Sequence, residues 1–379
     1  MTDKFARISA IGGYERDFIS SLKVIIIGAG AIGNELVKNL VLFGVKEVLL
    51  FDFDKIELHN LTRSIFFRET DVGKFKAETV ALRATELSKD TLVRAINKDF
   101  WDSLGFETLS KYDAVVCAVD NLEARIKLNT LCGISKKFFI NTAIDHRNAG
   151  VEVYPYHKGS QCGCYECILP SSAYAKIAEK YSCGWIRKIH TENKTIPTTT
   201  ITTSIVAAHA CSHLFEYLNK DLQKPNLDYS QSRKIFCDTR SPSISSVLIG
   251  SNQNCVSIIH GKKEISFTSA KREISRLDKN LNMDLLSGRP DTVIQFSDPI
   301  LLYTLNRDGE KKVIFDNAER FDETILLENG KRNLDAEIVE YMGFEELIKF
   351  YTDKNIPCKY ILIDMEGFDR TIIVEMENG

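Results

Sequence analysis

A carboxylate, two cations and a second carboxylate follow one another through the first third of this 379-residue chain at spacings suited to holding a nucleoside polyphosphate. Asp52 ends the apolar run Glu47–Phe51, downstream of the glycine series Gly28-Ala29-Gly30-Ala31-Ile32-Gly33. A carboxylate at that place accepts hydrogen bonds from both ribose hydroxyls, which suits NAD and ATP equally. Arg63 closes the segment Asn60-Leu61-Thr62-Arg63, and Lys76 closes Gly73-Lys74-Phe75-Lys76. An arginine clamps phosphate oxygens through parallel hydrogen bonds, and a lysine adds a compact charge. Two such cations exceed the needs of a nicotinamide site and suit charge building up on a leaving pyrophosphate. Asp120 follows the apolar run Ala114–Val119, where a lone carboxylate beside polyphosphate is a natural Mg²⁺ ligand. Asn121 and Arg125, just beyond it, are placed to brace its loop. Asp54 is either a residue that fixes the loop behind the nucleotide or a solvated turn residue.

These residues need a scaffold that delivers them to one edge. Val24–Ile27, Glu47–Phe51, Thr91–Ala95, Ala114–Ala118 and Phe138–Thr142 read as strands, and Asn34–Leu42, Phe75–Leu87 and Leu122–Cys132 as helices. Strands alternating with helices predict a Rossmann-like, doubly wound, mostly parallel α/β sheet, with the ligand at the carboxyl ends of its strands. Gly28 then makes the tight turn, Gly30 clears space for phosphate and Gly33 lets the helix pack close to the strand. Residues 151–200 lose this periodicity and read as a crossover loop, centred on about 170–200. A small-residue apolar helix follows over Thr202–Leu218, then short strands at Lys234–Cys237 and Ser245–Gly250. The division falls into residues 1–261 and a C-terminal α+β module at 262–379. In that module Glu264–Leu281 and Leu334–Tyr351 read as helices, and Thr292–Phe296, Lys312–Phe315, Thr324–Leu327, Tyr360–Asp364 and Thr371–Val374 as strands.

Composition narrows the function classes. The 49 Lys and Arg residues against 52 Asp and Glu leave no basic surplus for nucleic acid. No apolar run approaches the length of a membrane span, and the N-terminus has no signal-peptide core, so a cytoplasmic protein is expected. Ten cysteines scattered over a long chain are expected to be buried, metal-bound or reactive rather than a disulfide framework.

Taken together, the glycine series, Asp52-Phe53-Asp54, Asn60-Leu61-Thr62-Arg63, Gly73-Lys74-Phe75-Lys76, Asp120-Asn121 and Cys164-Tyr165-Glu166-Cys167 resemble, in order and rough spacing, the ThiF/MoeB/HesA superfamily of ubiquitin-activating-enzyme-like proteins. The resemblance covers about residues 5–260. It implies ATP-dependent adenylation of a carboxyl group on a peptide or small protein, with Asp52 on the ribose, Asn60, Arg63 and Lys76 on the phosphates and Asp120 on Mg²⁺–ATP. Arg7 resembles the N-terminal arginine that such enzymes insert into the partner subunit's site, which implies a homodimer. Ser64 stands where the family usually has Gln.

The same resemblance bears on the thiols. Cys164 and Cys167 resemble half of the family's structural zinc site, and Cys255 lies where the second pair is expected, but Ile258 takes the fourth place. Cys162, Cys237 or His260 are candidates to complete it; alternatively the metal is lost and the thiols are packed. Cys183 lies where activating enzymes keep a thioester-forming cysteine, and is read as incidental. His209 and His213, at helical spacing without an acidic third ligand, are read as structural histidines. The C-terminal module suggests substrate choice: peptide-modifying members of the MccB and PaaA type add such a module, so maturation of a ribosomally made peptide is the favoured expectation. Activation of a ubiquitin-like or sulfur-carrier protein, and a non-enzymatic NAD-binding sensor, are the alternatives.

Overall fold

A computed structural model describes residues 3–144, 147–158, 162–170, 173, 198–225, 227–239, 244–253, 255, 257–260, 264–271, 292–296, 301–305, 311–315, 360–365 and 370–377. The chain divides into two compact units: Met1–Phe100, Glu107–Leu169 and Thr195–His260 form the first, and Trp101–Phe106, Pro170–Lys194 and Gly261–Gly379 the second.

The first unit opens with short helices α1 (Ala6–Ser9) and α2 (Arg16–Ser21). It then alternates β1 (Lys23–Ile27), α3 (Ala31–Phe43), β2 (Glu47–Phe51), α4 (Lys76–Leu87) and β3 (Leu92–Ile96). After α5 (Phe100–Ser103), most of which belongs to the second unit, and α6 (Phe106–Ser110) come β4 (Ala114–Cys117), α7 (Leu122–Ile134), β5 (Phe138–Ile144) and β6 (Asn148–Pro155). Helix α8 (Thr200–Leu218) and strands β7 (Ser232–Asp238) and β8 (Ile244–Ile249) complete it. The sheet order is β3-β2-β1-β4-β5-β6-β7-β8. β1 to β5 run parallel, and β6 to β8 extend the sheet antiparallel. This is the doubly wound α/β class expected.

Its physical basis is plain in the strands. Val24, Ile25, Ile26 and Ile27 are all buried, as are Ala114 to Cys117, because helices cover both faces. One core cluster joins Val24, Ile26, Val48, Leu50, Val116, Ile140 and Val151 to Leu36 and Leu40 of α3 and Val206, Ala210 and Leu214 of α8. Small residues such as Ala207 and Ala210 let α8 lie close on α3. Thr199 caps α8 by accepting a hydrogen bond from the Thr202 backbone at 3.2 Å.

Two expectations are corrected here. Residues 151–155, read with the crossover loop, belong to β6: Val151, Val153 and Ile235 on the facing strand share the core, and Val151-Glu152-Val153 is itself a period-two pattern. Residues 264–271, read as the start of a helix, form strand β9 (Glu264–Lys271) in the second unit. Ile265 and Phe267 set a period of two, and β9 pairs in parallel with β14 (Arg370–Glu377) over its full length. The second unit's sheet, ordered β12-β11-β10-β13-β14-β9, also contains β10 (Thr292–Phe296), β11 (Leu301–Leu305), β12 (Lys311–Phe315) and β13 (Tyr360–Met365). Strand β11 was not expected from the sequence. The expected helix from 272 to 281, strand 324–327, helix 334–351, most of the loop 170–200 and Cys183 lie outside the described residues. Among the described residues no helix is long and apolar enough to cross a membrane.

Candidate functional site

The glycine series joins the carboxyl end of β1 to the N-terminus of α3. Gly28 has φ +102°, and a Cβ there would stand 2.7 Å from the Ala118 carbonyl oxygen and against Val119. A Cβ on Gly33 would stand 2.0 Å from the Gly28 carbonyl oxygen. Gly30 meets open space, so the first turn of α3 presents its backbone N–H groups beside a clear approach.

Asp52 sits at the end of β2 and faces this turn. Its Oδ2 accepts a hydrogen bond from the Ala29 N–H at 2.7 Å, and its Oδ1 accepts one from the Asp54 N–H at 2.8 Å. Burial pushes its pKa above the usual carboxylate range, against the Ala29 N–H, the Lys76 charge and the Asp54 N–H, which favour the anion. Asp54 is exposed and pairs with the Lys76 ammonium at 2.8 Å, while the Lys76 N–H donates to the Asp54 carbonyl at 2.9 Å. The sequence therefore brings Asp52, Asp54 and Lys76 into one corner beside the glycine turn.

Asn60 is buried, and its Oδ1 accepts from the Glu57 N–H at 2.9 Å, closing a short helical turn. Arg63 is half-buried and donates to the His59 carbonyl at 2.8 Å. Sequence reasoning missed the residue that ties this segment to the turn. Asn34, fully buried in α3, donates to the Ala29 and Gly30 carbonyls at 2.8 and 3.0 Å and accepts from the Phe66 N–H at 3.0 Å. The signal was a polar residue in a helical position otherwise filled by Ile32, Leu36 and Val37.

Asp120 is exposed in the turn after β4. Asn121 caps α7 by accepting from the Ala124 N–H at 2.7 Å. Arg125, one turn into α7, donates to the carbonyl of Val119, to Asn141 Oδ1 and, at 2.6 Å, to the Thr142 carbonyl. Both residues brace the Asp120 loop. Arg7, in α1, is exposed.

The cysteines gather as a second site. Cys164 Sγ lies 3.7 Å from Cys167 Sγ and 3.6 Å from Cys255 Sγ, and Cys167 Sγ lies 3.2 Å from His260 Nε2. All four ligand atoms lie within 4.8 Å of one another. A zinc tetrahedron with Zn–S bonds of ~2.3 Å and Zn–N of ~2.0 Å has edges of roughly 3.5–3.8 Å. The donor set and spacing fit that ion, with His260 taking the place that Ile258 cannot fill. The N–H groups of Cys164 and Asn252 both point at Cys167 Sγ at 3.4 Å. Burial pushes the Cys255 thiol up to about 11, a cost a bound cation removes.

Helix α7 connects the two sites. Asn129 is buried; its Oδ1 accepts from the Tyr165 N–H at 2.9 Å and from the Tyr156 hydroxyl, and its Nδ2 donates to Glu166 at 3.2 Å. Gly133 packs on Ile259, beside His260. Arg125, Asn129 and Gly133 thus form one stripe at i, i+4 and i+8.

In α8 the His209 and His213 rings stack with centroids 6.3 Å apart, and an acidic partner is present. His213 Nδ1 lies 3.1 Å from Glu216, whose other oxygen receives the Tyr229 hydroxyl. Glu216, three residues after His213, is the acidic neighbour that the sequence reading missed.

The ThiF family model matches residues 3–257. The chain belongs to the ThiF family. It is 35% identical over 134 residues to SUMO-activating enzyme subunit 2 of Dictyostelium discoideum, covering 35% of this chain and 20% of that one. It is 30% identical over 163 residues to the adenylyltransferase and sulfurtransferase MOCS3 of the same organism, covering 43% and 38%. The chain thus spans a fifth to two fifths of these two relatives. In fold it is similar to E. coli MccB, in a crystal structure with AMPCPP and MccA, at TM-score 0.53 and 24% identity, covering 67% of this chain and 74% of that one.

Proposed function

We propose that this ThiF-family chain is an ATP-dependent adenylyltransferase acting on a carboxylate of a peptide or small protein. The observation that carries the reading is the corner where the N-terminus of α3, the Asp52 carboxylate, the Asp54–Lys76 pair and the Ala118–Asp120 turn meet the Gly28 turn. Asp52 accepts the ribose hydroxyls, exchanging its Ala29 contact for them. The α3 N–H groups and Asn60, Arg63 and Lys76 take the triphosphate. Arg63 and Lys76 each have a weak partner to release, a backbone carbonyl and an exposed carboxylate respectively. The substrate carboxylate oxygen attacks the α-phosphorus, the bond to the bridging oxygen of pyrophosphate breaks, and the two cations hold the departing charge. Mg²⁺, when bound, shields the phosphates; Asp120 is the residue that would hold it. Cys164, Cys167, Cys255 and His260 would hold a structural Zn²⁺. Arg7 reaches a partner subunit's site in a homodimer.

For the substrate we favour a ribosomally made peptide, processed after adenylation by an internal nucleophile. Residues 262–379 are then its recognition module. Two observations support this: residues 262–379 lie beyond the ThiF match, and the chain is similar in fold to MccB, whose structure holds the peptide MccA. The relatives by sequence support a second reading, activation of a ubiquitin-like or sulfur-carrier protein. ATP–pyrophosphate exchange tests both. The expected result is exchange stimulated by a short peptide encoded beside the gene, and lost on Asp120→Asn. Stimulation by a small protein ending in Gly-Gly instead selects the second reading. NAD binding without ATP binding overturns both.

A further inference from the structure

Asn141, Glu152 and Lys234 are register neighbours on β5, β6 and β7. Their row continues through Cys117 of β4 to Ile27 of β1, immediately before Gly28 and the Ala118–Asp120 turn. The three polar residues therefore cross the sheet at the edge where the site lies, although β6 and β7 contribute none of the nucleotide-binding motifs.

Their hydrogen bonds have a fixed direction. Lys234 Nζ, which can only donate, lies 2.7 Å from Glu152 Oε1. The ionised Glu152, which can only accept, takes the Asn141 Nδ2 amino group on Oε2 at 2.8 Å and the Tyr154 hydroxyl at 3.1 Å. Asn141 is thereby forced to turn its Oδ1 the other way, toward Arg125, which can only donate. The remaining guanidinium contacts go to the carbonyls of Thr142 and Val119, and Val119 precedes Asp120. Glu152, Asn141 and Thr142 are almost fully buried, so water does not compete for these bonds. A buried carboxylate at this place is costly unless something is gained from it. The gain visible here is that the obligate acceptor in the middle sets the orientation of the amide, and the amide sets the arginine.

We propose that Glu152 and Lys234 are positioning residues for the Asp120 loop, acting through Asn141 and Arg125. This rests on the reading of Asp120 as the carboxylate that receives the metal of metal–ATP. Glutamine at 152 can donate or accept, so the amide of Asn141 loses its preferred orientation and the Val119 carbonyl its fixed partner. The Asp52 and Gly28 side of the site shares none of these bonds and is untouched.

The test is calorimetric titration of the full-length protein with ATP in EDTA and with ATP in Mg²⁺, so no substrate is needed. The quantity read is the gain in affinity that Mg²⁺ provides. Glu152→Gln is expected to cut that gain about fivefold while metal-free ATP affinity holds within about twofold, the scale of one weakened charge-assisted bond. Lys234→Met, at the partly exposed end of the row, reads the same quantity should Glu152→Gln fail to fold, and is expected to move it the same way. A full Mg²⁺ gain in both variants overturns the proposal, as does an equal loss with and without Mg²⁺, which would mark a merely structural row. Asp120→Asn separates the two levels: if it alone removes the gain, the row fails and the Asp120 reading stands; if it leaves the gain intact, that reading fails.

Discussion

Replacing Asn34 by Asp changes one atom in the centre of the site's scaffold. The Oδ1 that accepts from the Phe66 N–H at 3.0 Å is kept, and the amino group that donates to the Ala29 and Gly30 carbonyls at 2.8 and 3.0 Å becomes an oxygen. The Gly30 carbonyl keeps the backbone N–H of residue 34 at 2.9 Å, and loss of the side-chain donor to the buried Ala29 carbonyl costs about 1–3 kcal/mol. A carboxylate cannot remain ionised against two carbonyls without further cost, so the new Asp must take a proton and its pKa must rise. Protonated, it restores one of the two lost donations. Holding that proton at pH 7, about three units above the unfolded carboxyl's pKa of about 3.9, costs about 4 kcal/mol, so the expected loss is about 4–5 kcal/mol out of the ~5–15 kcal/mol that a folded domain typically holds. The sign with pH follows: a carboxyl whose folded pKa lies above its unfolded value has its relative stability restored as pH falls through the folded pKa. Urea denaturation of the Asn34→Asp protein at pH 7 and pH 5.5, each against wild type, measures both quantities. A difference under about 0.5 kcal/mol at pH 7, or a deficit that grows on acidification, refutes the reasoning.

Gly33→Ala puts a methyl 2.0 Å from the Gly28 carbonyl and should open the contact between β1 and α3, lowering the melting temperature and weakening ATP binding together; unchanged ATP affinity in calorimetry would contradict the close approach. Purified protein should carry one zinc per chain by elemental analysis, and His260→Ala should lose it, whereas His260→Cys should keep it. The His213 hydrogen bond, with the Tyr229 hydroxyl and the His213 and Lys224 charges, holds Glu216 below the usual carboxylate range in spite of burial. That stability is present above the unfolded carboxylate pKa and lost as pH falls through the depressed one, so Glu216→Gln should flatten the acid limb of a stability profile below about pH 4.3.

Strands β1, β2 and β4 were legible because they are buried on both faces and so read as nearly unbroken apolar runs; Glu47–Phe51 matches to the residue. The glycine turn was legible because Gly28 and Gly33 admit no side chain. What the sequence concealed is the bracing. Asn34, Asn129, Asn141 and Glu152 are polar residues whose partners lie on other elements, and nothing local marks them except a polar letter in an apolar pattern. His260 was one of three candidates to complete the cysteine cluster, and only the fold brings it within reach of Cys167. The segment 264–271 misled because its flanking charges resemble a helix, whereas its neighbour β14, about a hundred residues on, decides the matter.

Helix α7 acts as a ruler. Its grip on the Val119 carbonyl through Arg125, on the Tyr165 backbone through Asn129 and on Ile259 through Gly133 fixes the number of residues between them. Inserting or deleting one residue within that span swings everything beyond it by ~100° and shifts it by ~1.5 Å. Every graduation after the cut would then miss its mark at once. Insertions and deletions in descendants of this gene should therefore avoid the interval from 121 to 133, while single substitutions on the helix's outer face remain free to drift.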